Sequence, residues 1–98
     1  MAWTRLVAGS LLLAAACGAP LPHASSVDAL RASVALAELE EGRTMLLQKC
    51  GRCHAAPHPN RFAALEWPSK VGDMVERSKI DPAQRKSIEL YLMTMSSR

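Results

Sequence analysis

The chain has few cysteines and few aromatic residues, and it has no apolar run long enough to cross a membrane. Its 98 residues include three cysteines, two tryptophans, one tyrosine and one phenylalanine. The apolar run over 6–16 is shorter than the roughly 20 residues that a transmembrane helix needs, so we expect a domain that is not integral to the membrane. No basic tract or aromatic-studded basic patch points to nucleic acid. The length allows one domain at most.

What the sequence does contain is Cys50-Gly51-Arg52-Cys53-His54, a C-x-x-C-H run that is typical of covalent haem attachment. Two thiols three residues apart on a helical turn can each form a thioether with one vinyl group of the same haem. A histidine directly after the second cysteine is then held beneath the iron as its proximal ligand. The motif therefore predicts one haem c, attached to Cys50 and Cys53 and ligated by His54.

Three other interpretations of this motif are open. A redox dithiol usually follows a strand in a βαβ unit, whereas the approach over 38–49 has a helical pattern. Zinc needs four ligands in a tetrahedral array, and only Cys50, Cys53, His54 and His58 are close in sequence. Adjacent Cys53 and His54 could hardly both point at one small ion. The third alternative is a chance match in a structural turn.

The first residues follow the plan of a secretory signal peptide, which we assign to 1–17. Arg5 precedes the apolar run, and small residues follow at its end. Leu13-Ala14-Ala15-Ala16-Cys17 resembles a bacterial lipobox, in which the cysteine is lipidated and becomes the first mature residue, although Ala14 stands where leucine is more usual. The alternative is ordinary cleavage near Ala16 or Ala19. We expect a periplasmic protein, tethered to the membrane through Cys17 if the lipobox is used.

The net charge gives little further information about which partners the protein binds. Without Arg5 the formal net charge falls from +3 to +2, and two haem propionates would bring it near zero. Any steering of redox partners would come from local charges, namely Arg52, Arg61, Lys70, Arg77, Lys79, Arg85 and Lys86.

The pattern after the leader predicts a tether over 18–33 and an all-α domain over 34–98. A possible helix start lies at 26–28, inside the tether. The first main helix is expected over 35–49, with one face formed by Ala35, Leu39, Gly42 and Leu46. Pro57 and Pro59 then exclude regular structure. A domain this small commonly needs an additional stabilising element, such as a disulfide or a bound cofactor. A haem around which the helices pack would supply one.

Two more helices complete the prediction. The second begins near Trp67-Pro68, because proline suits a first turn, and ends near Lys79; its shared face is Trp67, Val71, Met74 and Ser78. The third has Asp81 as N-cap, Pro82 at its first position and Gln84 as the reciprocal capping residue. Its apolar stripe is Ile88, Tyr91, Leu92 and Met95.

Two of these helices resemble those of class I cytochromes c. Glu41-Gly42-Arg43-x-x-Leu46-x-x-x-Cys50-x-x-Cys53-His54 is similar to the N-terminal helix of that family, and Ile88-x-x-Tyr91-Leu92 to its C-terminal helix. The resemblance covers about 38–95. It implies a small cytochrome c fold, with three main helices around one covalently attached haem. It also implies that Gly42 meets Tyr91 where the two helices cross.

The sixth iron ligand has six candidates, which are Met45, Met74, Met93, Met95, His23 and His58. Trp67-Pro68-x-x-Val71-x-x-Met74 resembles a W-x-x-x-V-x-x-M pattern of some small cytochrome c domains, in which that methionine binds the iron. The resemblance therefore implies Met74 as the ligand. Met93, Met95 and a vacant or weakly ligated position are the alternatives. Met74 is followed by no proline and lies close in sequence to His54, both of which depart from the main family pattern.

These residues predict an electron carrier that exchanges single electrons between periplasmic redox proteins. His54 and Met74 would close both axial positions of the iron, and a thioether ligand raises the reduction potential. No acid–base pair or nucleophile stands out, so we expect no catalytic residue and no enzymatic activity. The alternatives are a haem-based sensor, if Met74 is absent from the iron or leaves it on reduction, and an accessory subunit of a periplasmic dehydrogenase or oxidase.

Overall fold

Helices make up the regular structure of the residues that the computed structural model describes, 20–51 and 54–96. The elements are α1 (Ser26–Ala32), α2 (Leu36–Cys50), two short 3₁₀ helices (Pro59–Arg61 and Ala64–Glu66), α3 (Trp67–Ser78) and α4 (Pro82–Ser96). No strand occurs in these ranges, so the predicted all-α class is confirmed. Within them, no helix is long and apolar enough to cross a bilayer. The predicted signal peptide over 1–17, its Cys17, and Cys53 of the haem motif lie outside the described residues.

The three main helices lie where the sequence predicts them. α2 begins one residue later than expected, at Leu36. α3 ends at Ser78, and Lys79 closes it in the left-handed conformation with a φ of 52°. At the start of α4, the Gln84 amide donates to Asp81 Oδ1 at 2.8 Å, and the Asp81 amide donates to Gln84 Oε1 at 3.0 Å. This reciprocal cap confirms the predicted start of α4.

The core is centred on the crossing of α2 and α4. Five side chains at this crossing are completely buried: Leu39, Leu46, Ile88, Tyr91 and Leu92. A Cβ added to Gly42 would lie 2.8 Å from Tyr91 Cβ and 3.0 Å from the Ser87 carbonyl carbon. Only a residue without a side chain permits this approach. The predicted contact between Gly42 and Tyr91 is confirmed.

The segment 21–25, which we call the arm, differs from the tether predicted over 18–33. Leu21 is only 6% exposed and belongs to the core cluster. The buried Tyr91 donates its hydroxyl proton to the Pro22 carbonyl at 2.7 Å, and Arg43 Nε donates to the Leu21 carbonyl at 3.2 Å. The arm packs because polar atoms on α2 and α4 satisfy its backbone.

Glu40 of α2 forms the other attachment of the arm. Its Oε1 accepts the Ala24 amide at 2.7 Å, and its Oε2 lies 3.0 Å from His23 Nδ1. Burial by itself raises the pKa of Glu40, but the hydrogen bonds from His23 and Ala24, with the charges of His23 and Arg43, lower it overall. The carboxylate is therefore stabilised as an anion that holds the arm on α2.

The short helix α1 follows the arm and also packs on the main helices. The Asp28 amide donates to Ser25 Oγ at 3.3 Å, and the Ser25 amide donates to Asp28 Oδ2 at 2.8 Å. This capping box fixes the start of α1 within the predicted tether. Arg31 Nη2 donates to the Thr94 carbonyl near the end of α4 at 3.4 Å. Within the described residues, the packed part of the domain thus includes Leu21, which lies in the segment predicted as a tether.

Candidate haem site

The first cysteine of the motif is the last residue of α2. Cys50 is 6% exposed and packs in the core cluster, so the α2–α4 crossing fixes its position. Burial raises the pKa of the Cys50 thiol. Redox-active dithiols instead have a lowered thiol pKa in an electropositive setting. The surroundings of Cys50 therefore do not favour the redox-dithiol interpretation.

His54 lies just beyond the end of α2, and its ring orientation is set locally. His54 Nδ1 is 2.8 Å from the carbonyl oxygen of Ala55. Because a carbonyl oxygen only accepts, Nδ1 is the donor of this bond, and in the neutral imidazole the free electron pair is then on Nε2. Metal-binding histidines are commonly held in this way by a hydrogen bond from their other ring nitrogen. The exposed imidazole of His54 is therefore poised to bind a metal through Nε2.

His54 and Met74 line the same two cavities. The smaller cavity has a volume of about 150 Å³, and its wall also includes Cys50. The larger has a volume of about 560 Å³, within the range of about 300–1,000 Å³ for small-molecule sites. Its other lining residues are Ala55, Pro57, Arg61, Phe62, Trp67, Lys70 and Asp73. The fold thus brings the Met74 thioether, twenty residues after His54, to the same place as the neighbouring Cys50 thiol and His54 imidazole.

The position of Met74 depends on the anchoring of α3 by Trp67. This side chain is completely buried, and its Nε1 donates to the Pro59 carbonyl at 2.9 Å. Phe62 packs edge-on against it, with ring centroids 5.1 Å apart and an interplanar angle of 84°. Val71 is buried one helical turn later, and the next turn on this side presents Met74 to the cavities.

The other methionine candidates for the sixth ligand lie elsewhere. Met95 is 1% exposed in the core, and Met45 packs against that core. Met93 lines a separate cavity together with Arg31 and Leu90. None of these three methionines lines either cavity at His54.

The two histidine candidates have other partners. His23 Nδ1 pairs with Glu40 in the arm attachment. His58 Nδ1 accepts the Asn60 amide at 3.1 Å and caps the first 3₁₀ helix. The predicted choice of Met74 as the ligand is therefore the one that the cavities favour.

Two cations at the larger cavity were predicted only as part of the surface charge. The Lys70 ammonium lies 4.7 Å from the centroid of the Phe62 ring, and the Arg61 guanidinium lies 5.7 Å from it. Both residues line the cavity, as does the acidic Asp73. Two cations held on one aromatic ring at an apolar cavity are suited to a ligand that carries carboxylates. The packing of the first 3₁₀ helix, which ends at Arg61, near the start of α3, which carries Lys70, brings them together, and their spacing in sequence gives no signal of it.

Comparison of the chain with known protein families, with curated proteins and with solved structures finds no match. The interpretation of the site therefore rests on its own residues. These residues fit a haem in three respects. The thiol, imidazole and thioether are groups that attach or ligate a haem. The apolar wall suits the flat ring, and the two cations suit its carboxylates.

Proposed function

We propose that the protein is a class I-like c-type cytochrome that carries single electrons between redox partners in the periplasm. The observation that carries this proposal is that His54 and Met74 line the same two cavities, the smaller of which Cys50 also lines. Histidine and methionine are the axial pair of electron-transfer cytochromes c. The redox-dithiol, zinc and structural-turn interpretations assign no role to Met74, whereas a haem does.

Each residue of the site has a distinct task in this proposal. Bound haem iron supplies one-electron exchange between its ferrous and ferric states. Cys50 and Cys53 would form the thioethers that keep the cofactor from dissociating. His54 would donate the Nε2 electron pair, with its ring held by the Ala55 carbonyl. Met74 would donate its sulfur from α3, and with two protein ligands the iron would be closed to a substrate.

The wall of the larger cavity supplies binding energy and charge balance. Phe62, backed by the buried Trp67, presents apolar surface at this wall, and removal of that surface from water would stabilise the complex by about 25 cal/mol per Å². Arg61 and Lys70, at the same cavity, are positioned to pair with the haem propionates. A cation near the iron also favours the ferrous state, because the ferric state carries one more positive charge.

The cellular location in this proposal follows from the leader. The signal peptide over 1–17 would direct the chain to the periplasm, and lipidation of Cys17 would hold it at the membrane. Mass spectrometry of the native N-terminus tests this part independently of the haem. A lipidated Cys17 as first residue supports the anchor, and an unmodified cysteine or a start beyond it removes the anchor.

The haem itself is tested by expressing the full chain with haem-maturation factors and recording a pyridine haemochrome spectrum. We expect a spectrum of a haem with both vinyl groups saturated by thioethers. A colourless product with the Cys50 and Cys53 thiols free would refute the proposal.

Replacement of Met74 tests the ligand assignment. We expect Met74→Ala to abolish the weak near-infrared charge-transfer band of methionine-ligated ferric haem. Met93→Ala is the matched control, because Met93 lies at a separate cavity, and it should retain the band. Survival of the band in Met74→Ala would assign another ligand. Rapid stoichiometric binding of carbon monoxide to the reduced wild-type protein would favour the haem-based sensor instead.

A further inference from the structure

The short helix α1 directs two large apolar side chains into solvent. Val27 is 67% exposed and Leu30 is 79% exposed. Asp28 and Ala29, on the opposite side of the helix, are 3% and 7% exposed. At 3.6 residues per turn, Val27 and Leu30 share one face that points away from the core. We call this pair the outward face of α1.

The exposed apolar residues are concentrated at this end of the described structure. Five large hydrophobic residues are exposed in the described ranges, and three of them, Val27, Leu30 and Leu36, fall within ten consecutive residues. Leu36 begins α2 directly after the turn that follows α1. Single exposed apolar residues are common, but a local group of them is typical of a surface that contacts another apolar phase.

The short distance along the chain from this surface to Cys17 points to the lipid bilayer as that apolar phase. Cys17 precedes Leu21 by four residues, and each residue spans at most about 3.6 Å, so the two Cα atoms lie within about 14 Å of each other. The Leu21 carbonyl accepts a hydrogen bond from Arg43, and the arm continues directly into α1. A lipid on Cys17 would therefore hold this part of the domain at the bilayer surface.

We infer that the outward face of α1 inserts into the lipid surface, an inference that rests on the lipid anchor of the proposed function. Stable membrane attachment commonly combines a lipid chain with a second contact, and Val27 and Leu30 supply an apolar one. Cys50 lies at the far end of α2, about 21 Å along the helix axis from Leu36. The proposed contact therefore does not involve the end of α2 that carries Cys50.

Photocrosslinking on the intact protein tests this contact. The full chain, matured in a bacterial host, carries benzoylphenylalanine in place of Leu30 or, as the control, Ala83. Both positions are exposed, and Ala83 lies about 17 Å along α4 from Thr94, which Arg31 of α1 contacts. Each protein is reconstituted in phosphatidylcholine vesicles and irradiated, and its mass is measured. Intact mass also reports lipidation, and the haemochrome spectrum reports the haem.

We expect a phospholipid adduct at position 30 in at least about tenfold higher yield than at position 83, because the photoreactive group reacts only with molecules in direct contact and only position 30 would lie in the lipid surface. Equal yields on a lipidated protein would overturn the inference. An adduct of twice the protein mass at position 30 would assign the face to a second copy and would also overturn it. A product without lipid on Cys17 would overturn it too, while an intact haem spectrum would leave the electron-carrier proposal standing.

Discussion

Replacing Gly42 with alanine perturbs the helix crossing that holds Cys50 in position. The added Cβ would contact the Ser87 carbonyl oxygen and would lie 2.8 Å from Tyr91 Cβ. Neither atom can move away by a change of rotamer, because one belongs to the α4 backbone and the other is attached directly to it. The two helices would have to separate.

The expected cost follows from two opposing effects. Alanine has a helix propensity about 1 kcal/mol better than glycine, which favours the variant. Overpacking of a core typically costs about 1–3 kcal/mol, and a clash against backbone belongs at or above the upper end. We expect a net loss of about 2 kcal/mol in the free energy of unfolding, which corresponds to a fall in Tm of about 8–16 °C for a domain of this size. Gly42→Leu should prevent folding.

Gly72 provides a matched control in the interior of α3. A Cβ there would lie 3.0 Å from Arg85 Nη2, at the end of a flexible side chain that can shift. A shift of that group would weaken its hydrogen bond to the Pro68 carbonyl, a smaller cost than separating two helices, so Gly72→Ala should lose clearly less stability than Gly42→Ala. Denaturant unfolding of the haem-containing wild type, Gly42→Ala and Gly72→Ala, followed by far-ultraviolet circular dichroism, gives the comparison. Equal midpoints for Gly42→Ala and Gly72→Ala would refute the close crossing.

Three further changes test the surroundings of the site. Trp67→Phe removes the donor to the buried Pro59 carbonyl and should lower the free energy of unfolding by about 1–3 kcal/mol; an unchanged denaturation midpoint would contradict this. The lowered pKa of Glu40 means that its stabilising effect is complete above the ordinary glutamate pKa, near 4.3, and is lost as pH falls through the lower folded-state pKa. Glu40→Gln should lack that effect at neutral pH and should lose less stability on acidification; parallel pH profiles would argue against the attachment. Lys70→Gln should lower the midpoint potential measured by redox titration, whereas Lys86→Gln, on exposed α4 surface, should not. Equal midpoint potentials for Lys70→Gln and the wild type would show that Lys70 does not lie near the haem.

The main helices could be predicted because their signals are local or periodic. Asp81, Pro82 and Gln84 mark the start of α4 by themselves, and the structure has the expected reciprocal bonds there. The contact of Gly42 with Tyr91 came from a family resemblance and is also consistent with the chain having only one tyrosine. The start of α4 depends on capping residues, and the crossing depends on a glycine without a side chain. Both roles vary little with the rest of the fold.

The packed arm could not be predicted in the same way. Two prolines and small polar residues around Pro22 are typical of a flexible segment, and its order comes from partners far away in sequence, Glu40 and Tyr91. Only the start of α1 carried a local signal. Ser25 and Asp28 form a capping box in which aspartate stands where glutamate or glutamine is more usual.

The arm also explains why the aromatic residue at the crossing is a tyrosine. A phenylalanine would fill the same volume against Gly42, but the hydroxyl of Tyr91 donates to Pro22 and so joins the arm to the crossing. Arg43, the neighbour of Gly42, donates to Leu21 in the same segment. The helix that ends in Cys50 is thus held on one side by α4 and on another by the arm. Since the arm begins four residues after Cys17, a lipid anchor there would act close to the contacts that join the arm to α2, the helix that ends at the proposed haem-attachment residue Cys50.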